Sequence, residues 1–240
     1  MHAHVDHSRT RRAPARPENA PIARPENRPI IRLFQALDVC YARIYHRLHV
    51  RAPPRLPRNG PGILVSNHTS GLDPLLIQSV CSRLIVWMVA QEYVEMPVLN
   101  RIFRMIEAIP VGRDGRDMAA TRQALRAVEQ GRVLGVFPEG RIERTRQLLP
   151  FQTGVALMAM KTKVPVYPVH LDGTQRGLPM SKAFARRQQA QITFGPPLRL
   201  HEEFSPKDLV GATFALQTAV GLLGEEHYGT PPNATLSRLL

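Results

Sequence analysis

The sequence predicts an α/β fold, in which a single domain is built on a mostly parallel β-sheet covered by helices on both faces. Short apolar segments such as Ile63–Val65 and Val133–Pro138 are typical of strands that are buried on both sides. Amphipathic segments of helical length lie between them, and parallel strands need connections of that kind. The chain has 240 residues, 43% of them hydrophobic, which suits one domain with a substantial core.

The first 29 residues predict a disordered tail. They are polar and rich in Pro and Arg, and the sequence Ala-Arg-Pro-Glu-Asn occurs twice, at 15–19 and 23–27. His2, His4 and His7 do not predict a metal site, because nothing in such a tail would orient the three rings.

Residues 30–58 predict an amphipathic helix followed by a connector rich in proline. Arg32, Arg43 and Arg47 add positive charge to the helix. Its apolar residues at helical spacing are Ile30, Leu33, Phe34, Leu37, Tyr41, Ile44, Tyr45 and Leu48. Two interpretations are equally supported by this pattern: the helix lies at the surface of an anionic membrane, or it packs on the core.

Residues 61–74 predict a buried strand, a turn that carries His68, and a helix that starts at Asp73-Pro74. Asp is a favoured N-cap residue, and Pro is favoured in the first helical turn. A carboxylate near an imidazole can orient the ring and leave its other nitrogen free as a base. The simpler interpretation is a helix cap beside a surface histidine, since one such pair is a weak signal.

The rest of the chain alternates between predicted helices and strands over a domain that spans residues 59–228, before a flexible tail at 229–240. The predicted helices cover residues 73–82, 96–106, 117–130, 154–161 and 206–224, and the predicted strands cover 84–90, 108–111, 133–138, 164–170 and 190–195. Sites in such sheets lie at the carboxyl ends of strands. His68, Arg113 and Glu139 each follow a strand, so we expect them to converge.

Charge and composition indicate what kind of partner and which cellular location to expect. The net charge is +13, and residues 1–60 hold twelve arginines against four acidic residues, which favours an anionic partner for the N-terminal region. No apolar run has the length of a membrane-spanning helix, and no signal peptide is evident. Cys40 and Cys81 lack metal-ligand spacing, which favours a reducing, cytoplasmic location.

Three further segments accompany the His68 turn in a fixed order: Ile109–Arg113, Val136–Gly140 and Val164–Val169. Together these four blocks resemble the glycerolipid acyltransferase family, which includes 1-acylglycerol-3-phosphate acyltransferases, over roughly residues 55–200. The resemblance implies a glycerol-3-phosphate acyltransferase-like fold. It also implies transfer of a fatty acyl group to the hydroxyl of a lysophosphatidic acid-like acceptor in phospholipid synthesis.

The resemblance further implies that acyl-CoA or acyl carrier protein is the acyl donor, as a substrate, with no cofactor and no metal. Lysolipid and acyl substrates sit in or near a bilayer. The resemblance therefore favours membrane contact for the N-terminal helix, and we expect a peripheral protein at the cytoplasmic face.

Within the resemblance, His68 would be the general base and Asp73 would orient it. Asn67 belongs to the neighbourhood of the same motif and is expected at the substrate site, where it would shape the turn. Arg113 stands where the family places an arginine that binds the substrate phosphate, which suits the bidentate geometry of guanidinium.

The third block departs from the family pattern. Glu139 and Gly140 match it, but the chain continues with Arg141-Ile-Glu-Arg144 where the family has Thr-Arg-Ser. We expect Glu139, Gly140, Arg141 and Arg144 at the substrate site, with either Arg141 or Arg144 on the phosphate. For Glu139 a structural role in holding the loop is an equal alternative.

Two rival functions are compatible with the sequence. The altered third block allows a different lysolipid acceptor, such as an aminolipid precursor. The Arg-rich N-terminal region allows a non-catalytic module that binds membrane or nucleic acid. We do not expect a nucleic-acid partner, because no aromatic side chain precedes Phe34 to stack on bases.

Overall fold

A computed structural model describes residues 27–112, 117–145, 147–174 and 177–225. The predicted N-terminal tail up to residue 26, the predicted C-terminal tail and Arg113 lie outside these residues.

The centre of the fold is a β-sheet whose described strands run in the order β1-β7-β6-β2-β5-β3-β4. The strands are β1 (His49–Ala52), β2 (Gly62–Ser66), β3 (Ile85–Ala90), β4 (Ile109–Val111), β5 (Val133–Val136), β6 (Val166–Asp172) and β7 (Gln191–Phe194). All neighbouring pairs are parallel except β6 and β7, which are antiparallel.

Helices cover both faces of this sheet. They are α1 (Pro29–Cys40), α2 (Asp73–Gln78), α3 (Gln91–Val94), α4 (Pro97–Met105), α5 (Met118–Glu129), α6 (Gly154–Thr162), α7 (Met180–Phe184), α8 (Leu200–Glu203) and α9 (Leu209–Glu225). A π-helical turn, Tyr41–Tyr45, continues α1. The predicted α/β class, with its mostly parallel sheet and preceding helix, is therefore confirmed.

The core forms two clusters, one on each face of the sheet. In β2 the side chains of Ile63 and Val65 belong to one cluster and Leu64 belongs to the other, as the two-residue period of a strand requires. Helices α5, α6 and α9 cover the first cluster, and α2 covers the second. Every residue of β2 and β5 is buried, which explains why these central strands are continuous apolar runs.

The N-terminal prediction needs a correction. The predicted helix ends at Tyr45, and residues 49–52 of the expected helix and connector form β1, which pairs with β7 about 140 residues later. The sheet thus begins before the predicted domain boundary at residue 59. A short edge strand of alternating exposure has no strong local signal, because most of its stabilisation comes from its distant partner.

Two smaller differences concern helices. The short helices α3, α7 and α8 have at most five residues each and were not predicted. Helix α2 is shorter than expected and its N-cap residue is Leu72, so Asp73 is its first residue and not its cap.

Within the described residues, no helix combines the length and the hydrophobicity that crossing a bilayer requires.

Candidate active site

The carboxyl ends of β2, β5 and β6 meet at one edge of the sheet, because the three strands are adjacent and parallel. His68 lies two residues after β2, Glu139 lies three residues after β5, and Thr174 lies two residues after β6. The backbone N–H of His68 donates to Glu139 Oε1 at 2.8 Å. The expected convergence of these two residues at this edge is therefore seen in the structure.

The carboxylate of Asp73 organises the turn that carries His68. Its Oδ2 atom accepts hydrogen bonds from His68 Nδ1 at 2.9 Å and from the backbone N–H groups of Thr69 at 2.7 Å and Ser70 at 2.9 Å. Because this side chain points back into the turn, it does not cap α2 in the way the sequence suggested. Asp73 is fully buried, so the turn is held from inside.

The imidazole of His68 is thereby oriented for proton transfer. A carboxylate oxygen only accepts, so Nδ1 carries the hydrogen and Nε2 is left with a lone pair. The side chain is 17% exposed, which allows a substrate to reach it. One face of the ring lies against Phe137, with 4.1 Å between ring centroids.

Glu139 connects the loops that follow β2 and β5. Its Oε1 accepts from the His68 N–H, and its Oε2 accepts from the Leu149 N–H at 3.2 Å. Burial raises the pKa of this carboxyl to about 7, against the opposing effect of the two backbone donors. With both oxygens engaged by backbone, the geometry favours the structural alternative for Glu139 over substrate binding.

The side chain of Asn67 makes structural hydrogen bonds, and its expected place at the substrate site stays a prediction. Its Nδ2 donates to the Leu171 carbonyl at 2.9 Å, and the Leu171 N–H donates to its Oδ1 at 2.8 Å. The side chain is buried and joins the end of β2 to β6. Both ends of the amide are therefore occupied by the neighbouring strand.

Residues 47–172, more than half of the chain, match the family described as Acyltransferase. The chain belongs to the acyltransferase family. The matched region begins just before β1 and ends with β6, so it contains the whole His68–Asp73 turn and the Glu139 loop.

Several curated relatives carry one name. A 1-acyl-sn-glycerol-3-phosphate acyltransferase of Borreliella burgdorferi is 27% identical over 130 residues, which cover 53% of this chain and 52% of the relative. The human 1-acyl-sn-glycerol-3-phosphate acyltransferase beta is 29% identical over 126 residues, covering 51% of this chain and 45% of the relative. The chain spans about half the length of the curated relatives it matches.

A solved structure shares the fold. The 1-acyl-sn-glycerophosphate (LPA) acyltransferase PlsC from Thermotoga maritima superposes with a TM-score of 0.68 at 21% identity, covering 84% of this chain and 81% of that one. The likeness covers a larger share of the chain than the family match does.

The third block of this acyltransferase places its two arginines differently. Arg144 follows Glu143, whose N–H donates to the His68 carbonyl at 2.7 Å. Its side chain packs on Gly177, where an added Cβ would lie 2.8 Å from Arg144 Cγ. Both arginines are exposed, and Arg141 follows Gly140, which adopts a positive φ of 70°. Of the two candidates, Arg144 is the one whose neighbours Glu143 and Gly177 are hydrogen-bonded to the His68 turn.

Arg113, the other expected phosphate ligand, lies outside the described residues, but its strand is placed. Strand β4 is separated from β2 by β5 and β3, which corresponds to about 14 Å across the sheet.

The loop that follows β6 forms part of the site and was not predicted from the sequence. Thr174 Oγ1 is hydrogen-bonded to Thr69 Oγ1, and the Gly177 N–H donates to the Thr69 carbonyl at 2.9 Å. The Gly71 N–H donates to the Leu178 carbonyl at 3.0 Å. The available signal was Asp-Gly-Thr directly after a buried strand, which places polar residues at the same edge of the sheet.

Proposed function

We propose that this acyltransferase moves a fatty acyl group from acyl-CoA or acyl carrier protein to the free hydroxyl of a lysophosphatidic acid-like acceptor. The observation that carries the proposal is the 2.9 Å hydrogen bond between His68 Nδ1 and Asp73 Oδ2, with a partly exposed ring at the carboxyl edge of the sheet. The name shared by the relatives supports the acceptor.

The reaction needs no protein nucleophile. His68 Nε2 takes the proton of the acceptor hydroxyl as its oxygen attacks the thioester carbonyl carbon. The buried carboxylate of Asp73 stabilises the imidazolium that forms. The carbon–sulfur bond then breaks, and the imidazolium returns the proton to the departing thiolate. One hydroxyl and one thioester are consumed, and one ester and one thiol are produced.

The acceptor phosphate is assigned to Arg144 in this proposal. Its guanidinium can make bidentate contacts to a phosphate, and both Glu143, which precedes it, and Gly177, on which it packs, donate backbone hydrogen bonds to the His68 turn. Arg113 is retained as a second candidate, since it follows β4 in the sequence and stands where the resemblance implies a phosphate ligand.

Thiol release from an acyl thioester in the presence of lysophosphatidic acid tests the proposal. We expect His68→Ala to lower kcat by roughly 10²–10⁴-fold. Release that needs no acceptor would indicate hydrolysis, and full activity in His68→Ala would reject the proposed base.

Arg144→Gln should raise the KM of lysophosphatidic acid more than that of an acceptor without phosphate, whereas equal effects on both would reject the phosphate assignment.

An acceptor other than lysophosphatidic acid is the second candidate, because Arg141-Ile-Glu-Arg144 departs from the family pattern. A screen of lysolipids and aminolipid precursors with intact thioesters separates the two. A non-catalytic module would show no thiol release with any acceptor, and nucleic-acid binding would show steep dependence on salt.

The N-terminal helix supports peripheral binding to an anionic lipid surface, which we include in the proposal. Exposed hydrophobic side chains of α1 and the π-helical turn are Ile30, Leu33, Phe34, Leu37, Ile44 and Tyr45. The opposite side of the segment buries Ile31 and Ala42. Arg32, Arg43 and Arg47 are exposed around the apolar residues, as expected for contact with anionic headgroups. Its placement at the cytoplasmic face stays a prediction.

Point substitutions test the lipid surface better than deletion, because residues 49–52 belong to the sheet. Leu33→Ser/Leu37→Ser should reduce sedimentation with vesicles containing phosphatidylserine. The matched control is Val210→Ser/Phe214→Ser on α9, an exposed pair on the opposite face of the sheet. Equal loss in both double variants, or no loss in the first, would contradict a specific N-terminal contact.

A further inference from the structure

Three aromatic rings are stacked from the core out to the candidate base. The imidazole of His68 lies on Phe137 with 4.1 Å between centroids and 17° between planes. Phe137 in turn lies on the indole of Trp87, with 5.1 Å between centroids and 10° between planes. The three rings thus form one nearly parallel stack that ends at the reacting group.

The inner end of the stack is fixed by a glycine. Trp87 in β3 is directly opposite Gly135 in β5, and its ring lies over the space where a side chain at 135 would be. A Cβ at that position would lie 2.6 Å from Trp87 Cζ3 and 2.7 Å from Ile85 Cγ2, so only glycine admits the indole. Trp87 is buried in the core, so it provides a rigid support for Phe137.

We propose that Phe137 is a positioning residue for His68, an inference that rests on the proposed function. The hydrogen bond to Asp73 fixes one atom of the imidazole, but a single hydrogen bond leaves the ring plane free to turn about it. The flat contact with Phe137 removes this freedom and keeps Nε2 in one plane. Stacking of this kind therefore sets the direction in which the base receives the proton.

The same stack favours the charged intermediate. The face of an aromatic ring carries partial negative charge, and a cation within about 6 Å of its centroid is attracted. His68 becomes cationic only while it holds the acceptor proton. Phe137 thus stabilises the imidazolium more than the neutral ring, which is the differential effect that lowers a barrier.

One loop therefore controls both ends of His68. Phe137 contacts its ring, and Glu139, two residues later, accepts from its backbone N–H. The Gly140 N–H donates to the Phe137 carbonyl at 3.1 Å and closes the loop between them. The Phe-Pro-Glu-Gly sequence therefore positions both the side chain and the backbone of His68.

The test uses the full chain and compares Phe137→Leu, which removes the ring, with Phe137→Tyr, which keeps it. Phe204→Leu is the matched control, because Phe204 is also partly buried but packs against the other core cluster. Acyl transfer gives kcat and KM. NMR of the protein without substrate gives the ring-current shift of the His68 carbon-bound protons and the fraction of the Nδ1–H tautomer.

We expect Phe137→Leu to lower kcat by roughly 3- to 30-fold with KM values nearly unchanged, and to abolish the ring-current shift. Phe137→Tyr should keep both, and Phe204→Leu should change neither. In a His68→Ala background, Phe137→Leu should have no further effect on the remaining rate, because its action passes through the imidazole. An equal loss of kcat in Phe204→Leu, or an additive loss in the His68→Ala background, overturns the proposal.

Failure of the proposed function is a separate outcome. If the wild-type protein transfers no acyl group to any acceptor, the NMR comparison alone decides the positioning role. Broadened or doubled His68 ring signals in Phe137→Leu, with the Nδ1–H tautomer kept and with single sharp signals in Phe204→Leu, would uphold it. Single sharp His68 ring signals in Phe137→Leu would reject it.

Discussion

The two ends of the parallel strands, called here the amino edge and the carboxyl edge of the sheet, each use one ionisable side chain to hold their loops together. At the amino edge, the guanidinium of Arg83 donates to the carbonyls of Pro57, Gly60 and Gly131, which lie in segments leading into β2 and β5. At the carboxyl edge, Glu139 accepts from N–H groups in the loops that follow β2 and β5. Each edge thus has one ionisable side chain, Arg83 or Glu139, that connects the segments flanking β2 and β5.

The difference lies in what else is bound at each edge. At the amino edge there is a second structural contact, a salt bridge of 2.8 Å between Arg132 and Glu107. At the carboxyl edge, the residue that Glu139 holds is His68, whose ring is partly exposed and already bonded to Asp73. Similar polar connections therefore stabilise both edges, but only one of them positions a group that can move a proton.

The largest expected effect is the loss of activity in Asp73→Asn. The substitution removes the negative charge that stabilises the imidazolium, and an amide can present the wrong group to Nδ1. We expect kcat/KM for acyl transfer to fall by roughly 10²–10⁴-fold. Activity within threefold of wild type would show that Asp73 stabilises the fold at the carboxyl edge, as Arg83 does at the amino edge, and does not take part in proton transfer.

The second effect is on stability and belongs to the amino edge. Arg83→Met keeps most of the side-chain length but leaves carbonyl groups without their charged donor. We expect the free energy of unfolding to fall by about 2–4 kcal/mol in denaturant titrations, with kcat/KM changed less than threefold. Arg58→Met, at an exposed position in the same segment, should change stability by less than about 0.5 kcal/mol. A large loss of activity in folded Arg83→Met would contradict the conclusion that the amino edge contributes to stability and not to activity.

The smallest effect is a dependence of stability on pH at the carboxyl edge. Burial raises the pKa of Glu139 from 4.5 to about 7, so the folded state binds its proton more tightly than the unfolded state. This contribution to stability is complete below the unfolded value and is lost as pH rises through the folded value. Between pH 5 and 8 we expect wild type to lose about 1–2 kcal/mol relative to Glu139→Gln, allowing for solvent screening. Parallel pH profiles for the two proteins would contradict the raised pKa.

The sequence was most informative where a feature depends on neighbouring residues. His68 and Asp73 are five positions apart, and the strand, turn and helix around them have strong local signals. The placement of His68 and Glu139 at one edge follows from the rule that parallel strands share a carboxyl side. The blocks that resemble acyltransferases were identified from residues alone, and the family match confirms that identification.

The sequence was least informative where a side chain has a distant partner. Asn67 was expected to bind substrate, yet its amide is bonded to Leu171, 104 positions away. Glu139 had two equal interpretations until Leu149 was seen to occupy its second oxygen. Nothing in the local pattern predicts such pairings, because a polar residue after a strand is compatible with either role.

By itself, the sequence determined the order of the main helices and strands and the His68–Asp73 pair, because each depends on periodicity or on spacing within a few residues. Its resemblance to known acyltransferases indicated the family. Only the tertiary structure decided that β1 completes the sheet beside β7, that β7 runs antiparallel to β6, and that Phe137 and Trp87 support the imidazole. These contacts join residues far apart in the chain, and their free energy arises from packing that exists only once the sheet has assembled.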